Sequence, residues 1–195
     1  MKEIWMLRHG QTDLNVSRVY FGSTDVPLNE TGIQQALNMR NKIPEAAFDV
    51  CYTSPLIRAS VTGKLVYPEA AFLVEPGLAE RDLGKWEGLS VSEIQEQYPK
   101  EWLEWRNNWQ EFEPPEGESF LAFWNRVTTF LDMIRLDPIN HNVLLVTHSG
   151  PIRCFLAYSL GMPYDAIWRF SIENACMSCL KFNDENFGWL TALNV

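Results

Sequence analysis

Two spacings of apolar residues alternate along this chain. The clearest lies between Phe120 and Leu136, where Phe120, Phe123, Trp124, Val127, Phe130, Leu131 and Ile134 stand one or three residues apart at helical positions. At 3.6 residues per turn these side chains share one stripe, so the segment predicts a helix with a wide buried face. Ile33, Ala36, Leu37 and Ile43 repeat the spacing after the box Thr31-x-x-Gln34, which predicts a helix from Thr31 to about Lys42. Ser54-Pro55 opens another, with serine as N-cap and proline at the first helical position, where its missing N–H costs nothing. Ser90-x-x-Glu93 introduces a helix through Ile94–Tyr98, Pro99 to Trp109 predicts one rich in tryptophan, and a last one runs from Gly150 to about Leu160 and closes at Gly161.

Short apolar runs lie between these periods. Glu3–Arg8, Asp49–Thr53 and Ala71–Val74 read as strands, and Asn142–Thr147 is so uniformly apolar that both of its faces must be covered. Cys176–Phe182 and Trp189–Val195 flank a turn of Asp184, Asn186 and Gly188 and predict a hairpin. Gly10–Asn29 and the acidic stretch Glu111–Ser119 show neither period and read as loops. Strands alternating with helices predict an α/β three-layer sandwich: a mostly parallel sheet, helices on both faces, and an antiparallel edge from the terminal hairpin. At 195 residues, with no repeat or low-complexity linker, the chain suits a single domain spanning 1–195.

Charge narrows the function. The 16 Lys+Arg against 25 Asp+Glu give a net charge of −9. That balance argues against nucleic acid or an anionic membrane as partner, since either needs a basic stripe. An anionic substrate must instead be drawn in by a local cluster of arginines. No apolar run approaches the roughly 18 residues of a membrane span, and the N-terminus, acidic at Glu3, does not read as a signal peptide. The expected location is cytoplasmic, with Cys51, Cys154, Cys176 and Cys179 reduced. Cys176 and Cys179 form a CxxC, but inside an apolar strand and without a second pair to complete a zinc set.

In open α/β sheets ligands bind beyond the carboxyl ends of the strands. Charged residues collect there at Arg8-His9-Gly10, Ser54 to Arg58, Glu80-Arg81 and Thr147-His148-Ser149-Gly150. Two of the three histidines thus leave buried strands and are followed by small residues; the third, His141, sits in a polar turn and reads as solvated. A phosphoryl group in transfer spreads negative charge over three oxygens and needs directed donors. Arginine supplies them as a fixed fork. Arg58, at the start of a helix whose free N–H groups favour anions, could clamp one anion together with Arg8, and Asn15 adds an amide donor.

Leu7-Arg8-His9-Gly10-Gln11-Thr12-Asp13-Leu14-Asn15 resembles the signature of the histidine phosphatase superfamily, the phosphoglycerate-mutase-like proteins. Further matches follow in the family's order at Leu28–Ala36, Thr53–Ala59, Leu78–Gly88, Gly117–Ser119 and Val146–Gly150. The resemblance implies that His9 carries the phosphoryl group, that Arg8, Arg58 and His148 bind it, and that Glu80 protonates the leaving oxygen and later activates water. Asn15, the Ser149 N–H, Gly22 and Arg81 would complete the substrate site. It implies no metal and no cofactor, and a small-molecule phosphomonoester as the only partner; it sets no oligomeric state.

Downstream, Trp105–Gln110, Gly117–Phe120 and Leu160–Phe170 resemble the branch that removes the 5′-phosphate of α-ribazole phosphate in cobalamin synthesis. Trp102, Trp105 and Trp109 could then wall a site for a flat base, while Trp124 and Trp168 read as packing. Other activities within the resemblance are a broad sugar-phosphate phosphatase and a phosphoglycerate mutase. Against the mutase stands the absence of a charged tail after Asn194-Val195, although Glu80-Arg81 is mutase-like. A catalytically inert binding module would not need the full set Arg8, His9, Arg58, Glu80 and His148.

Overall fold

The computed structural model describes residues 1–43 and 48–195. Among them, strands β1 (Lys2–Arg8), β2 (Val50–Thr53), β3 (Phe72–Val74), β4 (Asn142–Thr147), β5 (Met177–Phe182) and β6 (Gly188–Ala192) form one sheet, in the order β3-β2-β4-β1-β5-β6. The first four in that order are parallel, whereas β5 and β6 run antiparallel as an edge. The helices are α1 (Asp13–Ser17), α2 (Glu30–Met39), α3 (Ile57–Val66), α4 (Val91–Gln97), α5 (Pro99–Asn107), α6 (Phe120–Leu136) and α7 (Ser149–Ser159).

The period of two along the strands splits the core into two layers. On β1, Ile4 and Met6 join α6 and α7; on β4, Val143 and Leu145 do the same. Leu7, Leu144 and Val146 point the other way, onto Ala36 of α2 and Ala59 of α3. The three-layer α/β sandwich expected from the alternating elements is therefore the observed one. The α6 stripe is buried as its spacing requires, from Phe120 to Ile134, and Ser119 caps the helix by accepting from the Ala122 N–H. The capping box at Ser90 and Glu93 is also in place.

Several local expectations are corrected. Asn29, not Thr31, caps α2: its Oδ1 accepts from the Gly32 N–H at 2.9 Å while its Nδ2 reaches Gln11 and Asp13. Asn29 thus satisfies more partners than Thr31 could. The buried face of α2 is Gly32, Ala36 and Met39, whereas Ile33 and Leu37 are exposed. Helix α3 begins at Ile57 rather than at Ser54-Pro55: the Ser54 hydroxyl accepts from the Leu56 N–H and faces His148, while Leu56 itself is extended. Within the stretch read as loop, Thr12 and Asn15 form a capping box that starts the short helix α1. Strand β6 ends at Ala192, and a register shift at Cys179/Leu180 precedes the main-chain pair that joins Met177 to Val195.

Candidate active site

The sheet register assembles the site. Arg8 on β1 lies opposite Thr147 on β4, so the residues that follow, His9 and His148, emerge side by side with ring centroids 5.1 Å apart. From there β1 leads to α2 on one face and β4 to α7 on the other, which opens a crevice at the strand ends.

His9 is buried, and its Nδ1 lies 2.7 Å from the carbonyl oxygen of Gly10. A carbonyl only accepts, so Nδ1 must carry the proton and Nε2 the free lone pair. Burial, reinforced by the charges of Arg8 and Arg58, pushes the His9 ring well below the usual imidazole value, so the ring is neutral. Asn174 Nδ2 donates to the His9 carbonyl at 3.0 Å, and the Ala175 N–H donates to the carbonyls of Arg8 and His9.

His148 is fully buried. Its Nδ1 accepts from Arg58 Nε at 3.2 Å, which leaves Nε2 to donate to the Ser54 hydroxyl at 2.8 Å. Burial first, then the neighbouring His9, Arg58 and Arg8, hold this ring well below the imidazole range too. Arg58 gives its other bonds to the carbonyls of Thr24 (2.8 Å) and Gly22 (2.6 Å). Three of its five N–H donors are spent in aiming the fork, and two remain. Gly22 therefore sits behind Arg58; a Cβ there would fall 1.7 Å from the Arg81 carbonyl oxygen. Arg8 donates to the Ile172 carbonyl at 2.5 Å, while its buried Nε has no partner among the described residues. Burial brings its pKa down to about 10, with Glu80 acting in the opposite direction.

The end of α3 does not serve as an open anion site, contrary to the sequence expectation: the Ile57 N–H is taken by Asp25 Oδ1 at 2.7 Å. The helix end that faces the crevice belongs to α7, which starts at Ser149 after His148 with no side-chain cap. The oxygen of Asn15 accepts from the Thr12 N–H (3.0 Å), the Thr12 hydroxyl (3.1 Å) and Asn174 Nδ2 (3.4 Å), so its amide nitrogen is turned outward as a donor.

Glu80 is held at both oxygens. Oε1 accepts from the Arg81 N–H and Oε2 from the Gly150 N–H, each at 3.0 Å. A Cβ on residue 150 would sit 2.0 Å from Glu80 Oε1, so the carboxylate reaches this position only because residue 150 is glycine. Arg81 spends Nε and one terminal nitrogen on the carbonyls of Glu118 (3.1 Å) and Phe112 (3.3 Å). It fastens the acidic loop, as does Arg126 through its 2.6 Å pair with Glu118.

Beside Glu80, Ser149 and Gly150 opens a cavity of about 220 Å³. Its walls are largely aromatic: Tyr20, Phe21, Trp86, Trp105, Trp109 and Trp168. Trp105 and Trp109 are where the sequence suggested. Trp102 is not in the wall; it stacks behind Trp105 at 4.8 Å. Trp168, read as packing, is 62% exposed and lines the cavity, whereas Trp124 is buried in the core as expected. Sequence reasoning missed Ser54 as the partner of His148, Asn174 behind His9, and Arg153 in the cavity wall. Ser54 and Asn174 make their contacts far from their sequence neighbours, so no local spacing marks them. Among the described residues no group of three or more His, Cys, Asp or Glu is arranged to hold a metal ion, and all four cysteines are free thiols.

Comparison with known proteins matches residues 4–194 to the histidine phosphatase superfamily (branch 1). The chain is 34% identical to the adenosylcobalamin/alpha-ribazole phosphatase of Escherichia coli (strain K12), over 98% of this chain and 95% of that protein. It is 32% identical to phosphoserine phosphatase 1 of Hydrogenobacter thermophilus, over 94% of this chain and 88% of that one. Among solved structures, the alpha-ribazole phosphatase from Shigella flexneri superposes with a TM-score of 0.92 at 32% identity, covering 99% of this chain and 96% of the other.

Proposed function

Because the chain belongs to the histidine phosphatase superfamily, we propose that it is a phosphomonoesterase working through a phosphohistidine on His9, with α-ribazole 5′-phosphate as its substrate. Residues 1–195 act as one domain. The observation that carries the reaction is the fixed tautomer of His9, whose Nδ1 is tied to the Gly10 carbonyl so that Nε2 is free to attack.

The phosphoryl oxygens take donors from Arg8, Arg58, the Asn15 amide and the Ser149 N–H; His148, read from the sequence as a further phosphate ligand, has both ring nitrogens engaged with Arg58 and Ser54 and holds the Arg58 fork in place. His9 Nε2 attacks phosphorus and the ester P–O bond breaks. Glu80, protonated at that moment, gives its proton to the leaving oxygen, and the alcohol departs. The resulting carboxylate takes a proton from water as the water oxygen attacks phosphorus. The P–N bond then breaks, and phosphate leaves with His9 restored. Gly22 and Arg81 support this site from behind, through Arg58 and through the wall of the acidic loop. Fixed donors around a buried anion are worth more than the same donors in water, which offsets the chain's overall negative charge.

The substrate assignment rests on the aromatic cavity beside Glu80, where the leaving alcohol must lie, and on the named activity of the relatives. A flat heterocycle on a ribose suits walls of tryptophan. A cytoplasmic location fits the free thiols; among the described residues, no helix is long and apolar enough to cross a membrane.

The test is kcat/KM of the EDTA-treated protein on α-ribazole 5′-phosphate, 3-phosphoglycerate and several sugar phosphates. A preference of about a hundredfold or more, near 2.7 kcal/mol, supports the assignment. A flat profile would leave the histidine chemistry and remove the substrate.

A further inference from the structure

Arg153 lies on α7 one helical turn beyond Ser149, in a cavity wall that is otherwise largely aromatic. Its Nε is buried and without a partner among the described residues, and none of the ion pairs found there ties its guanidinium to a carboxylate. A buried donor left unpaired is costly. Arg8 Nε is also buried and unpaired at this crevice, and in the proposed reaction the phosphoryl group would supply the missing acceptor. The other arginines around the site are engaged with the protein: Arg58 with Gly22 and Thr24, Arg81 with Glu118 and Phe112, Arg126 with Glu118.

From these observations we infer that Arg153 is a specificity residue: it hydrogen-bonds the sugar-ring oxygens of the alcohol that the phosphate esterifies. The inference rests on the proposed phosphomonoesterase reading. Residues 149 and 153 are separated by about 6 Å along the helix axis. With the Ser149 N–H on the phosphoryl group, Arg153 falls at the level of a ring joined to the ester oxygen through one methylene. The tryptophans Trp105, Trp109 and Trp168 lie in the same cavity, where a base carried by that ring can stack. A planar fork suits vicinal ring oxygens, which offer two acceptors side by side. The apolar walls offer little else to fix the ring's orientation.

Arg153→Met and Arg153→Lys would be compared with wild type on α-ribazole 5′-phosphate and on p-nitrophenyl phosphate, which has no sugar. Inhibition by inorganic phosphate is measured alongside and reports that the site is folded. Loss of a bond from a charged donor should lower kcat/KM for the ribosyl ester by about tenfold to a hundredfold more than for the p-nitrophenyl ester. The change should appear mainly in KM, and lysine should recover part of it. Equal losses on both esters, with weaker inhibition by phosphate, would move Arg153 into the phosphate pocket and overturn the inference; so would no change on either. If wild type shows no preference for α-ribazole phosphate, the substrate assignment falls, and the same ratio is read on the best sugar phosphate of the panel.

Discussion

Lowering the pH from about 6.5 to about 5.5 should cost the ligand-free protein about 2 kcal/mol of folding stability. His9 and His148 are both buried and both held well below the ordinary imidazole value, so both stay neutral in the folded chain across this window. In the unfolded chain each titrates near ~6.5 and takes up a proton as the pH falls. The unfolded state therefore binds more protons, and stability falls with pH. Integrating between those limits gives about 1 kcal/mol per ring. The carboxylates held low, such as Asp49 and Asp137 by main-chain and side-chain donors, act in a different window. Their contribution is present above the unfolded carboxylate value, near ~4, and is lost only as the pH falls below it. Urea unfolding of wild type and His9→Asn at the two pH values separates the rings: the variant should lose about 1 kcal/mol less than wild type. If both proteins lost the same amount, or wild type lost nothing, His9 would be protonated as readily folded as unfolded. It would then lack the free lone pair on Nε2 that nucleophilic attack requires.

Glu80→Gln should lower kcat by about 10²–10⁴-fold on an alkyl phosphate and far less on p-nitrophenyl phosphate, whose leaving group needs little protonation, as steady-state rates on the two esters would show. Ser54→Ala leaves the Nε2–H of His148 buried without its acceptor, so urea unfolding should show a loss of about 1–3 kcal/mol. Gly150→Ala drives a Cβ into Glu80; kcat should fall by about 10²-fold, the scale of a ~1 Å misplacement, while phosphate inhibition is retained.

The histidines, Arg8 and Arg58 were legible in the sequence because strand ends and helix starts are written locally, as apolar runs that stop at charged residues. The α6 stripe was legible for the same reason. What stayed hidden depends on partners far along the chain. Ser54 looks like a helix cap until His148 is folded against it, and Asn174 acquires a role only when β5 brings it beside His9. Trp102, Trp105 and Trp109 are three and four residues apart, and α5 ends at Asn107, before the last of them, so helical spacing could not tell which of them face the cavity. Trp168 is on another element altogether. The helix end at Ile57 looked open because Asp25, which closes it, lies in the loop read as structureless.

The pairing of β1 with β4 ties catalytic competence to the success of folding itself. Side chains on a strand alternate faces, so sliding β1 by a single residue would turn His9 away from His148 while leaving most of the hydrogen bonds of the sheet available. A partly folded or slipped molecule therefore has no weakened version of the site; it has none. The two strands, Lys2–Arg8 and Asn142–Thr147, lie far apart in the chain, and contacts of that span form late because closing the long loop is entropically costly. In refolding, helical signal should return well before turnover does, and turnover then counts only those molecules whose sheet closed in the right frame.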